Sequence, residues 1–347
     1  MKHFKSSILV TILLLALSFI WGLTHGPQAG IEAAFSALWV AAVLAVMEVS
    51  LSFDNAVVNA SVLKGWDAFW RKMFLTVGII VAVFGMRLVF PIVIVAFTAD
   101  LSMVDVMQLA LNNPAEYASK LTAHHAEISA FGGSFLALVG LSFFLDKSKD
   151  EHWFGFLESK LSWIGTPLAP TLITLIVLFC LAPSAAVLTA GIAGIIVYAA
   201  VDLLCAVLEG DEEEGSSAGS TVVKAGIGGF LYLEVLDASF SFDGVVGAFA
   251  ITNDVVIIMI GLAIGAFFVR SITIYLVEKD TLTTLRYLEH GAMYAIVALA
   301  AIMMYGTTGH HVPEVVTGFV GVAFILSAIY ASIRANKRDA LNPPSAE

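Results

Sequence analysis

This chain returns repeatedly to apolar runs long enough to cross a bilayer, and no other feature restricts its fold as tightly. A spanning helix needs about 20 predominantly apolar residues. Inside hydrocarbon, a helix satisfies every backbone N–H and C=O within its own segment, which an isolated strand cannot do. The runs predict helices over about 7–24, 32–62, 72–97, 128–145, 167–181, 184–208, 222–251, 254–277, 289–306 and 313–333. Hydrophobic residues make up 59% of the chain, charged residues 13%, and mean hydropathy is +0.92, outside the usual soluble range. The expected fold class is all-α: a polytopic membrane helix bundle with about 9–10 transmembrane helices. A net charge of −11 and the lack of a basic stripe with interleaved aromatics argue against a nucleic-acid partner; the lipid bilayer is the expected one.

Lys2 and Lys5 precede the first run as they would in a signal peptide, but Thr24-His25-Gly26-Pro27-Gln28 offers no small-x-small cleavage site, so the helix is expected to be retained. Residues 1–31 then form an extra N-terminal helix and outer loop, and 32–208 a first half with connecting helices, within which the polar outer segment from Thr98 to Glu127 is expected to be a loop with a short interfacial helix. Residues 209–221 form an acidic linker, 222–335 a second half and 336–347 a tail. Basic residues cluster on one set of loops (Lys64, Arg71, Lys72, Lys147, Lys149, Lys160, Lys279, Arg286), with Lys120 alone on the other. That bias places both termini in the cytoplasm of a cell whose inner membrane holds the chain. Cys180 and Cys205 lie in apolar runs without a CxxC and are expected to be buried small hydrophobes rather than a disulfide or thiolate site.

Two segments carry the same unusual content. Glu48-Val49-Ser50-Leu51-Ser52-Phe53-Asp54-Asn55 and Asp237-Ala238-Ser239-Phe240-Ser241-Phe242-Asp243-Gly244 both read acid-x-Ser-x-Ser-Phe-Asp, and Glu234 adds an acid to the second. Charge inside hydrocarbon is costly and faces a partner, a cavity or an ion. Arg87 and Arg270 occupy corresponding places in the following helices, and Gly132-Gly133 corresponds to Gly291-Ala292. The motif helices are five spans apart, an odd number, so they are expected to run in opposite directions as an inverted-topology repeat. On a straight helix Glu48, Ser52, Asn55 and Asn59 share one face, as do Glu234, Asp237 and Ser241, while Asp54 lies with Ser50 and Asp243 with Ser239. Either the two stripes meet different partners, or the helices unwind near Ser52-Phe53 and Ser241-Phe242 so that the acids converge.

The donors are carboxylate, hydroxyl and amide oxygens, which suit a hard dication such as Mg²⁺, Ca²⁺ or Mn²⁺ and disfavour zinc and copper. The expected metal site is Glu48, Asp54, Asn55, Glu234, Asp237 and Asp243, supported by Ser50, Ser52, Ser239 and Ser241 and charge-balanced by Arg87 and Arg270. Excess negative charge after ion release calls for a proton or sodium ion as the coupling partner. His124-His125 with Glu127, and His310-His311 with Glu314, fall on the outer side as a weak metal-capture or pH-sensing patch, or as plain interfacial polar residues.

Glu-x5-Asp-Asn, Phe131-Gly132-Gly133-Ser134-Phe135-Leu136 and Leu288-Glu289-His290-Gly291-Ala292 resemble the TerC family of membrane proteins, from about Ala33 to Ile333. That family is associated with tellurium-ion resistance and manganese export, so the resemblance implies a manganese exporter whose site is Glu48, Asp54, Asn55, Asp237 and Asp243. The departure is Gly244 where the first copy has Asn55. The expected function is a secondary transporter exporting a divalent cation, which is the substrate; no enzyme activity, organic cofactor or nucleotide-binding loop is expected. The alternatives are a membrane scaffold or stress-resistance protein with structural acids, and an intramembrane metal-dependent hydrolase.

Overall fold

The computed structural model describes residues 4–25, 29–98, 101–147, 149, 151–209, 226–279, 284–310 and 312–341. Its helices are α1 (Lys5–Thr24), α2 (Ile31–Leu51), α3 (Phe53–Lys64), α4 (Ala68–Ala96), α5 (Met103–Asn112), α6 (Pro114–Ala123) and α7 (His125–Leu145). They continue as α8 (Gly155–Ile164), α9 (Ala169–Leu181), α10 (Ala185–Glu209), α11 (Ile227–Phe249), α12 (Val255–Glu278), α13 (Leu288–Gly306) and α14 (Glu314–Leu341). No strand occurs among the described residues, and the chain is an all-α polytopic membrane bundle.

Among the described residues, eight helices have the length and composition to span a bilayer. The motif helix α11 is as long, at 23 residues, but carries Glu234, Asp237 and Asp243 and so lacks the low charge of the eight. With α9, apolar but only 13 residues long, all ten predicted apolar helices are present. Two predictions need correction. The helix predicted over 32–62 is two, α2 and α3, separated at Ser52. The outer segment, expected to be loop with a short interfacial helix, holds both α5 and α6, and α8 was not foreseen; each is 10 residues long, too short and polar to stand out as a span. The acidic linker is outside the described residues from 210 to 221, as are His311 and the tail beyond 341.

The two halves interlock. The motif helix α2 packs along α12 of the other half, and the motif helix α11 packs against residues 81–89 of α4. Helix α3 packs on α13, α11 on α7, and α7 and α13 on each other, so these cross-half contacts correspond between the two halves. Glycines permit the close approach. A Cβ at Gly265 would overlap Glu48 and one at Gly261 would overlap Leu44, while Gly133 and Gly140 lie against Met304 and Val297. Helix α1 straps this assembly, its Ser7 hydroxyl bonding Phe267 O (2.7 Å) and Ser271 Oγ (2.6 Å), and Asp254 accepting from Trp21 (2.9 Å). Cys205 is half-buried and Cys180, contrary to expectation, is exposed, because α9 covers the bundle with only one face.

Candidate functional site: an acidic cleft between two motif helices

Ser52 is the one non-helical residue in the first motif (φ −102°, ψ 16°). Its N–H still bonds Glu48 O (2.9 Å) and its carbonyl still accepts from Ala56 N–H (3.1 Å), so the chain kinks here rather than unwinds. The second motif has no such break; α11 is continuous through Ser241 and Phe242. Residues 74–78 and 81–89 of α4 form wide π-helical turns, and Arg87 lies at the end of the second stretch. Such turns often mark functional positions in helices.

Just after the kink, neighbouring residues of α3 line two different cavities, as their offset of about 100° on a helix dictates. Asp54 lines a cavity of about 270 Å³ with His125, Ser129, Gly244, His310 and Thr317. Asn55 lines a smaller one of about 40 Å³ with Ser52, Asn59, Arg87, Glu234, Asp237, Arg270 and Thr273. The second cavity lies toward the end of the bundle that carries Lys64, Lys72 and Lys279, since Asn59, Phe74 and Thr273 all border it.

Around the smaller cavity the polar groups are buried and under-satisfied. Asn55 Nδ2 donates to Asp237 Oδ1. Asp237 Oδ2, both Glu234 carboxylate oxygens, Asn55 Oδ1, Asn59 Oδ1 and Nε of Arg87 and Arg270 have no partner among the described residues. Five unsatisfied acceptor oxygens in one place are a large deficit, because most buried polar atoms are hydrogen-bonded. Glu48 differs: it is 1% exposed and tied to Arg87 by a buried ion pair, and Ser52 Oγ donates to Glu48 Oε1 (3.0 Å). Arg87 also donates to Ala82 O (2.6 Å).

The repeat is carried into these contacts. Asn55 of the first copy meets Asp237 of the second; Gly244, at the position corresponding to Asn55, faces Glu48, at the position corresponding to Asp237. A Cβ on Gly244 would stand 2.8 Å from Glu48 Oε2. The departure at Gly244 therefore makes room for a glutamate that is one methylene longer than its counterpart.

Of the predicted metal residues, Asp54 lines the larger cavity, Asn55, Glu234 and Asp237 line the smaller one, and Glu48 is paired with Arg87. No group of three or more His, Cys, Asp or Glu positioned to hold a metal occurs among the described residues, and the side chain of Asp243 lies outside them. Of the serines, Ser52 touches an acid, Ser239 bonds Val235 O in its own helix (3.0 Å), Ser241 is buried with no hydrogen-bond partner among the described residues, and Ser50 is exposed and bonds Val46 O (2.8 Å). Arg270 faces the smaller cavity but has no ion pair among the described residues.

Asn59 and Thr273 line that cavity without having been predicted as ligands. Asn59 carried a signal, sharing the helical face of Glu48, Ser52 and Asn55; Thr273 carried a weaker one, three residues after Arg270. A second polar cluster was missed altogether. Glu158 of α8, fully buried, accepts from Lys149 (3.2 Å), the N–H groups of Trp153 (3.3 Å) and Phe154 (3.2 Å), and Tyr294 OH (3.1 Å).

No curated protein and no solved structure matches the chain. Residues 53–339 match the family described as protein of unknown function (DUF475), which spans both halves from the kink onward, and the chain belongs to that family.

Proposed function

We propose that the protein is a secondary transporter that exports a divalent cation, with manganese as the favoured ion, through the acidic cleft between the two motif helices. The carrying observation is that two acid-motif neighbours just after the kink at Ser52 line different cavities, Asp54 the larger and Asn55 the smaller. Alternating access requires a substrate path that is interrupted at one thin layer, with polar groups on both sides of it. Here the layer is the kink with the buried Glu48–Arg87 pair, and the unsatisfied oxygens of Asn55, Asn59, Glu234 and Asp237 await a cation on one side. Asp243 belongs to the proposed site by its place in the motif. All-oxygen donors favour Mg²⁺, Ca²⁺ or Mn²⁺, and the TerC resemblance of the motifs favours Mn²⁺ among them. Protons or sodium ions are the coupling ions that this excess of acids would accept.

Flux of Mn²⁺ into proteoliposomes, followed with an enclosed metal-sensitive dye, tests this reading. Wild-type protein is expected to carry Mn²⁺, and Asp54→Asn and Asp237→Asn are each expected to abolish the flux while the variants insert and fold normally. The buried Glu48–Arg87 pair favours a second reading, a scaffold in which acids lock helices together. Wild-type protein that moves no divalent cation, with Asp237→Asn altering only stability, would establish that reading instead.

A further inference from the structure

The larger cavity brings together groups that lie far apart in sequence. His125 enters from the start of α7 and His310 from the segment after α13; Asp54 comes from α3, and Thr122, Ser129 and Thr317 also line the cavity. Asp54 is 7% exposed, while His125 is half-buried and His310 exposed, so the carboxylate lies deep and the imidazoles lie nearer the surface.

Both rings are oriented by hydroxyls. His310 Nδ1 shares a hydrogen bond with Thr308 Oγ1 (2.8 Å), and its ring stacks on Tyr305 with centroids 4.9 Å apart. His125 Nδ1 shares one with Ser129 Oγ (3.3 Å). Fixing one ring nitrogen through an outer partner is how proteins set the tautomer and aim of a metal-binding histidine. The neighbouring His124 does not join them: it pairs with Glu127 (3.8 Å) and lines a separate apolar groove beside Phe90 and Phe131.

We propose that this cavity is a second cation station, in which His125 and His310, with water completing the shell, select for transition-metal dications before or after Asp54 takes the ion; the three residues act in sequence, since they do not form one metal-holding group. This rests on the transport reading above and assigns its ion class from a different donor set. Imidazole nitrogen binds first-row transition dications and takes little part in Ca²⁺ or Mg²⁺ sites, while the inner cleft offers only oxygen. An ion that passes both stations must accept both donor types. Mn²⁺ and Fe²⁺ accept both donor types, Mn²⁺ gaining the less of the two from imidazole, whereas Ca²⁺ gains nothing from it. A cavity of about 270 Å³ is large enough for the ion to keep several waters, as an intermediate station requires.

The test uses full-length protein in detergent, with Mn²⁺ and Ca²⁺ as probes. Electron spin echo spectra of bound Mn²⁺ are expected to show modulation from imidazole ¹⁴N. The double variant His125→Gln/His310→Gln is expected to lose that modulation and to weaken Mn²⁺ binding about tenfold, with Ca²⁺ affinity unchanged as the control for folding. Absent nitrogen modulation, or an Mn²⁺/Ca²⁺ affinity ratio unaltered by the double variant, overturns the station. Mn²⁺ flux that persists and still depends on Asp237 would then leave the transport reading standing. Wild-type protein that neither binds nor moves Mn²⁺ overturns both.

Discussion

The two motifs share their residues and differ in what they do with them. In the first, Glu48 is consumed by internal bonds to Arg87 and Ser52, and the helix kinks. In the second, the helix is straight, Asp237 has one amide partner, and Glu234 has none among the described residues. A repeated sequence therefore supplies one satisfied, rigid acid and one under-satisfied set of acids. Satisfied buried charge holds helices in register, whereas unsatisfied buried charge is costly unless a ligand completes it. In the transport reading proposed above, the first copy then forms the barrier and the second supplies most of the ligands.

Removing the arginines tests that assignment most severely. Arg87→Ala leaves Glu48 buried and unpaired, which costs about 3–5 kcal/mol. Arg270 is half-buried and makes no ion pair among the described residues, so Arg270→Ala is expected to change stability little. Thermal unfolding of the two variants in the same detergent should separate widely. Equal losses would mean that the two halves use their arginines alike.

Gly244 gives a finer test. Placing asparagine there restores the sequence symmetry of the copies but drives a side chain into the space of Glu48 Oε2. Overpacking of this kind costs about 1–3 kcal/mol. Shortening the opposing acid should relieve it, so Glu48→Asp is expected to recover part of the loss in Gly244→Asn while destabilising the wild type. A double-mutant cycle reads the coupling directly. An additive cycle would show that Gly244 and Glu48 do not compete for the same space.

These contacts mark where the sequence was legible. The ten apolar helices were, because hydrophobic run length is a direct consequence of bilayer thickness. The pairing of halves was partly legible, since Arg87 and Arg270 follow their motifs at comparable distances. The kink at Ser52 was not, because Ser52 and Ser241 stand in nearly identical local sequence and tertiary packing alone distinguishes them. Gly244 looked like a missing ligand; its meaning depends on Glu48, a residue in the other half of the chain. The Glu158 cluster was illegible for the same reason, since Tyr294 reaches it from a distant helix.

That cluster yields the smallest predicted effect, and it bears on how the halves are joined. Helix α8 follows α7 of the first half, and Glu158 ties it to α13 of the second through Tyr294 and, at 3.4 Å, His290. Burial raises the affinity of Glu158 for a proton, but the Phe154 N–H, the Lys149 ammonium and His290 outweigh it and hold the carboxyl below its ordinary value. A carboxylate whose folded-state pKa is depressed adds stability above its unfolded value, and that stability is lost as pH falls through the folded one. Acidification below the usual carboxylate range should therefore loosen α8 from α13. Glu158→Gln should remove this pH dependence and lower stability modestly at neutral pH. Hydrogen exchange at residues 155–164, compared between neutral and acid pH in both proteins, makes the measurement. Wild-type exchange that stays unchanged on acidification would show that the join between the halves rests on apolar packing of Phe143, Phe144 and Tyr294 rather than on the Glu158 charge.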